Sequence, residues 1–236
     1  MNKKKCKFAN SKVKFLGVIV GEGTVSPDPD KVKAIKEFRK PVNKKELRSF
    51  LGLLSFYRKF VPNLAKYITP LTDLLRKKYS DKIVWNESLS DCFLNATNLI
   101  SRDISLVIPK VNSPFTIETD ASDYGIGAVL LQKFDDIARP IAFISRKLNP
   151  AECNYAVIEK ECLAIKWAIE YFHQYLYGGK FLVRTDHAPL TWLSQNKDKN
   201  SRLMRWALSL QVYDFSIEYV KGSENFIADF LSRMMN

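Results

Sequence analysis

Histidine is almost absent from this 236-residue chain, which has two, at positions 173 and 187. The four cysteines stand at 6, 92, 153 and 162, with no Cys-x-x-Cys pair among them. A structural zinc site needs about four clustered nitrogen or sulfur ligands, so zinc is not expected, and the cysteines read as reduced, mostly buried thiols. Nine glycines and ten prolines are too few for a low-complexity or collagen-like chain. Long apolar runs are missing too. Stretches such as Phe15–Val20 fall far short of the roughly 18 residues a membrane span requires. No apolar signal core follows the basic start, so secretion is not expected, and the reading is an intracellular chain. At ~100–200 residues per domain, the length fits one large domain or two small ones.

What the chain does have is positive charge, unevenly placed. The formal net charge is +12. Residues 1–112 hold 23 Lys and Arg against 10 Asp and Glu, whereas residues 113–236 hold 14 against 15. Such asymmetry points to a basic module that grips a polyanion, joined to a second module with other work. Nucleic acid is the default polyanion, since each cation set against a phosphate adds salt-dependent affinity.

Periodicity gives the elements. Lys12–Val20 alternates and then turns fully apolar, as expected of a strand entering a core, and Gly21–Gly23 is a turn. Ser26-Pro-Asp-Pro-Asp30 opens a short helix that Pro41 closes. After an Asn43 cap, Leu47, Phe50, Leu51, Leu54, Tyr57 and Phe60 form a single apolar stripe, predicting a helix that runs to Pro62. Lys44, Lys45, Arg48, Arg58 and Lys59 lie around or off that stripe and are the candidate nucleic-acid contacts. Helices are expected at 64–77 and 87–101. Lys110–Pro114 has linker composition, and the domain boundary falls near 112.

Beyond it, strands are expected at 115–120, 125–131 and 139–145. A long helix follows, its apolar residues stepping by three and four from Tyr155 to Leu176 until Gly178-Gly179 ends it. A strand over 180–186, a helix near 201–211, a strand over 213–220 and a short helix from about 224 to 233 complete the pattern. The fold class expected is α/β (α+β), a mixed sheet flanked by helices and preceded by a mostly helical module.

Asp120 and Asp186 each end a predicted strand, where functional groups of open α/β sheets gather. Glu161 lies at the margin of the long helix's buried stripe, and Asp229 lies within the last helix. Four carboxylates meeting at one sheet edge would need a counter-ion. A hard divalent cation such as Mg²⁺ is the natural one. Two such ions would suit phosphodiester hydrolysis. Taken singly, each acid also fits a turn, a cap or a solvated helix position.

The words around these acids resemble the reverse transcriptase of gypsy-like LTR retrotransposons, from the end of the palm through the whole ribonuclease H domain. Phe15-Leu-Gly17 is similar to that family's primer-grip turn. Pro27–Ile35, Glu46–Leu53 and Tyr57–Pro62 are similar to its thumb. Pro70–Leu75 and the Trp85 segment are similar to its connection. Thr119–Val129, Glu159-Lys-Glu161, Thr185-Asp-His187 with Pro189-Leu190, and Ala228–Arg233 resemble its ribonuclease H. The resemblance implies three parts: the end of the palm over 1–25, a thumb and connection module over 26–112, and a ribonuclease H-like five-stranded domain over 113–236.

It also implies that Asp120, Glu161, Asp186 and Asp229 are the catalytic, metal-binding carboxylates for two Mg²⁺ ions, with Mn²⁺ as the alternative. Glu161 is preferred to Glu159 because it directly precedes the Cys-Leu-Ala-Ile core run. His187 is a candidate for substrate contact or proton handling, with packing as its other reading. The expected partners are an RNA–DNA hybrid and the remaining polymerase part of a Pol polyprotein, with no membrane. The expected location is cytoplasm or a virus-like particle.

The family's polymerase aspartates have no counterpart in these residues, so polymerisation is not expected of this chain alone. Lys133-Phe-Asp-Asp136 lacks the tyrosine of Tyr-x-Asp-Asp and reads as a hairpin loop. Lys221–Asn225 lacks the histidine that cellular ribonucleases H carry there. Two other readings stay open: a non-catalytic hybrid-binding remnant, and a fragment of a polyprotein whose activity is RNA-directed DNA polymerase.

Overall fold

A computed structural model describes residues 10–62, 64–101, 105–186 and 201–220 of the chain. Among the described residues, two sheets organise the fold. The first is antiparallel, with strands β1 (Lys12–Phe15), β2 (Val18–Gly21), β3 (Thr24–Pro27) and β4 (Leu106–Val107) in the order β1-β2-β3-β4. The stretch Lys12–Val20, which periodicity alone reads as a strand entering a core, is therefore a hairpin, with its turn at the Phe15-Leu-Gly17 segment that resembles a primer-grip turn. Leu16 and Gly17 both have positive φ, 46° and 84°, and a two-residue turn of this kind matches the twist of flanking strands. Alternation survived the reversal because Phe15 pairs with Val18.

Four α-helices complete the described residues of the first part. Helix α1 (Pro29–Lys36) is capped by Asp28, whose carboxylate accepts from Asp30 N–H at 3.1 Å. Helix α2 (Lys44–Phe56) starts at Asn43, whose Oδ1 accepts from Glu46 N–H at 2.9 Å. It stops at Phe56 rather than continuing to Pro62, and a 3₁₀ turn over Arg58–Phe60 carries the stripe onward. Tyr57 and Phe60 remain buried, so the periodic signal persists after the helix has ended. Helix α3 (Leu64–Asp73) ends four residues before the expected position, and α4 (Glu87–Ile100) starts from an Asn86 cap.

The second sheet has five strands: β5 (Phe115–Ala121), β6 (Gly125–Phe134), β7 (Ile137–Lys147), β8 (Lys180–Thr185) and β9 (Asp214–Tyr219). Their order is β7-β6-β5-β8-β9, antiparallel among the first three and parallel from β5 to β8 to β9. Asp135 and Asp136 form the two-residue turn between β6 and β7, both with positive φ, so the Lys133–Asp136 segment is a hairpin end. A short α5 (Pro150–Cys153) precedes the expected long helix, which is itself divided into α6 (Val157–Tyr171) and α7 (His173–Leu176). An Asn149 capping box with Glu152 sets the first, and Phe172 interrupts the helix before the third. Helix α8 (Ser201–Leu210) precedes β9.

Cys162, Ile165, Ala168, Ile169 and Phe172 are fully buried and pack with Ile117, Leu130 and Val183 of the sheet, joined by Leu203 and Ala207 of α8. A separate core gathers Leu47, Phe50, Leu54, Phe60, Leu71 and Phe93 with Val129, Leu131 and Phe143. The first part is thus seated on the second sheet through shared apolar contacts, and burial of this kind stabilises at roughly 25 cal/mol per Å². Burial pushes the Cys162 thiol up to about 12, so it stays protonated in this core. Among the described residues no helix is long and apolar enough to cross a membrane.

Candidate functional site

Parallel pairing brings two of the candidate acids together. Ile117 stands opposite Val183 and Glu118 opposite Arg184 across β5 and β8, and this register carries Asp120 and Asp186 to the same sheet edge. Arg184 fixes the rung just before them. Its Nη1 donates to Glu118 Oε1 at 2.8 Å, and its Nε lies 3.5 Å from Glu218 of β9. Burial holds the Glu118 carboxyl above its ordinary value even against the pull of Arg184.

Helix α6 supplies the third acid from its first turns. One oxygen from each of Asp120, Glu161 and Asp186 lies within 4.8 Å of the other two. Asp120 is 3% exposed and Glu161 4% exposed, while Asp186 is half-buried at the mouth. Three carboxylates so close repel one another strongly in a poorly solvated site. Their donor set, all hard oxygen with one open side, fits a divalent cation of the Mg²⁺ type and would not suit a soft metal.

Glu159, the competing acid, does different work. Its Oε2 accepts from Ala156 N–H at 3.1 Å at the start of α6, and its Oε1 receives Arg202 Nη1 at 2.8 Å. The Arg202 guanidinium also lies 4.0 Å from the Tyr155 ring centroid. Glu159 therefore ties α6 to α8, while Glu161 meets the strand-end aspartates.

Asp229 and His187 lie outside the described residues. Among the five candidate cations of the first part, Lys44 and Arg58 are committed to the protein. Lys44 is 9% exposed and donates to the carbonyls of Arg76 at 2.8 Å and Tyr79 at 2.6 Å, which closes the turn after α3. Arg58 donates through Nη2 to the Ser145 carbonyl of β7, and burial lowers its pKa. Ser145 pairs with Gly127, and Gly127 with Asp120, so Arg58 grips the rung that carries a site aspartate. Lys45, Arg48 and Lys59 are exposed. Charge alone could not separate these two groups of cations in the sequence. The Glu118–Arg184 rung was also missed, because its only sequence signal is one acid and one base on strands paired in parallel.

Residues 110–213 match the family described as the RNase H-like domain found in reverse transcriptase. This segment is similar to the ribonuclease H-like domain of reverse transcriptases. Over 233 residues the chain is 44% identical to the retrovirus-related Pol polyprotein from transposon 297 of Drosophila melanogaster, covering 98% of this chain and 21% of that one. Identity is 39% over 244 residues to the Pol polyprotein from transposon gypsy of the same fly, with 99% and 23% covered. It is 36% over 248 residues to the transposon Tf2-3 polyprotein of Schizosaccharomyces pombe, with 100% and 18% covered. The chain thus spans about a fifth of the length of these curated relatives. The foamy viral protease-reverse transcriptase solved with an RNA/DNA hybrid superposes with a TM-score of 0.80 at 22% identity, over 92% of this chain and 30% of that one. The same fold therefore extends through the part preceding the ribonuclease H-like domain.

Proposed function

We propose that the chain acts as a ribonuclease H, cutting the RNA strand of RNA–DNA hybrids as one part of a retrotransposon Pol polyprotein. The observation that carries this reading is the meeting of Asp120, Glu161 and Asp186 within 4.8 Å inside a ribonuclease H-like domain. These three side chains would hold two Mg²⁺ ions, with Asp229 as the fourth ligand by resemblance. When bound, such ions supply an activated water and neutralise charge on the leaving 3′ oxygen of a phosphodiester. Asp120 and Glu161, both buried, fix two of the ligand directions and keep bulk water from the inner side of the site. Asp186, half-buried at the mouth, is the acid that would meet an arriving scissile phosphate. Lys45, Arg48 and Lys59 would hold the duplex by its phosphates without reading sequence. Contacts to 2′-hydroxyls across the wide minor groove would choose the RNA strand.

The test is hydrolysis of a labelled RNA in an RNA–DNA hybrid with Mg²⁺, beside the same sequence as duplex DNA, with Asp120→Asn as control. Cutting confined to the hybrid RNA and lost in the variant is expected. Binding of the hybrid with no cleavage would favour the non-catalytic reading, and equal cutting by the variant would remove the proposed site.

A further inference from the structure

A lysine occupies the position directly before Glu161, and its surroundings are unusual for that residue type. The Lys160 side chain is 8% exposed, and its Nζ lies 2.7 Å from Oδ1 of Asp123, whose own side chain is 79% exposed. A buried ammonium is costly unless paired, and lysine is seldom buried otherwise. Asp123 sits in the turn between β5 and β6, three residues after Asp120. That turn is closed by Ser122, whose Oγ accepts from Gly125 N–H at 3.0 Å, while Ser122 N–H donates to the Gly125 carbonyl at 2.8 Å. The pair therefore joins the helix that carries one site acid to the turn that follows another.

We propose that Lys160, through Asp123, is a positioning residue that holds the Asp120 and Glu161 carboxylates together before a cation arrives. The inference rests on the proposed cation site and adds to it the group that resists its self-repulsion. Acids this close push their elements apart when no ion is bound. A charged bridge from α6 to the turn that follows β5 opposes that motion, so less of the ion's binding free energy is spent on closing the site. Its contribution belongs in metal affinity more than in the chemical step, as for other groups that orient metal ligands. The neighbouring Glu159–Arg202 pair ties the same helix to α8 rather than to β5, so it does not duplicate this role.

The experiment is titration of the full chain with Mn²⁺ in the absence of nucleic acid, read by electron paramagnetic resonance of the free ion. Lys160→Met, Lys160→Arg and Asp123→Asn are compared with the wild type, beside Asp120→Asn and a melting curve for each. Lys160→Met and Asp123→Asn should weaken Mn²⁺ binding about tenfold, with Lys160→Arg recovering most of it. Asp123→Asn keeps the test available if Lys160→Met fails to fold, because it alters an exposed side chain. Unchanged Mn²⁺ affinity in the Asp123→Asn and Lys160→Met proteins, even with a lower melting temperature, overturns the positioning role. Tight binding retained in Asp120→Asn would instead remove the cation site itself, and the bridge's role with it.

Discussion

Asp120→Asn should make the metal-free protein more stable while removing its proposed activity. The substitution keeps the shape of a side chain that is 3% exposed and deletes one of three charges whose oxygens lie within 4.8 Å of one another. Two unit charges 4.8 Å apart repel by about 3.5 kcal/mol at an effective dielectric constant of ~20. Solvent at the half-buried Asp186 and local relaxation reduce that, leaving a gain of about 1–2 kcal/mol. For a protein of this size such a gain raises the melting temperature by roughly 2–8 °C. The assay is thermal unfolding by circular dichroism in EDTA, repeated with excess Mg²⁺. Wild type should melt lower than the variant in EDTA and close or reverse that gap when Mg²⁺ is added, because an ion that binds only the folded state stabilises it. A variant that melts lower than wild type in EDTA, with equal Mg²⁺ effects on both, would refute the claim that the three carboxylates are a repulsive cation site.

Other outcomes follow from the contacts of single residues. Lys44→Met strips two carbonyl partners from the turn after α3 and should cost about 2–3 kcal/mol by urea unfolding. Lys45→Gln should leave stability nearly unchanged and reduce the slope of log hybrid affinity against log salt by about 1, as loss of one phosphate contact would. Gly21→Ala places a methyl group 2.2 Å from the Ser11 carbonyl oxygen, a backbone clash that should open the first hairpin and cost on the order of 2 kcal/mol in the same assay. Glu152 opposes its burial with two hydrogen bonds from Arg146, at 2.7 and 3.0 Å, and one from Asn149 N–H, which together hold its carboxyl below the ordinary value of 4.5. The stability it adds is present above that ordinary value and is lost as pH falls through the lowered one. The difference between wild type and Glu152→Gln should therefore be full at neutral pH and vanish in acid, as read by unfolding at a series of pH values.

Much of this architecture is legible in the residues, for reasons that differ by element. The strand-end positions of Asp120 and Asp186 follow from two strand-patterned segments, Phe115–Asp120 and Lys180–Asp186, that each stop at an acid. Their approach to each other requires β5 and β8 to be parallel neighbours, which no local pattern states. Glu161 and Glu159 lie two residues apart on one helix, about 200° apart around its axis, so only one can face the strand ends. The hairpin at Leu16-Gly17 is invisible to periodicity, because residues of like character face each other across its turn, and only the resemblance of Phe15-Leu-Gly17 to a primer-grip turn marks it. The interruption at Phe172 stayed hidden because that ring still packs into the core on the old period. Lys44 and Arg58 look like their exposed neighbours in sequence, since a lysine that caps a turn and one that meets solvent differ only in distant partners.

The assignment of Glu161 rather than Glu159 to the cation site is the claim on which the rest depends. Cleavage of a labelled RNA–DNA hybrid by Glu161→Gln and Glu159→Gln, each checked for folding, tests it most directly. Glu161→Gln should lose about a thousandfold or more in rate, in keeping with the loss of a transition-state interaction of about 4 kcal/mol, while Glu159→Gln stays within about tenfold of wild type. Comparable loss in both variants, or the greater loss in Glu159→Gln, would contradict it.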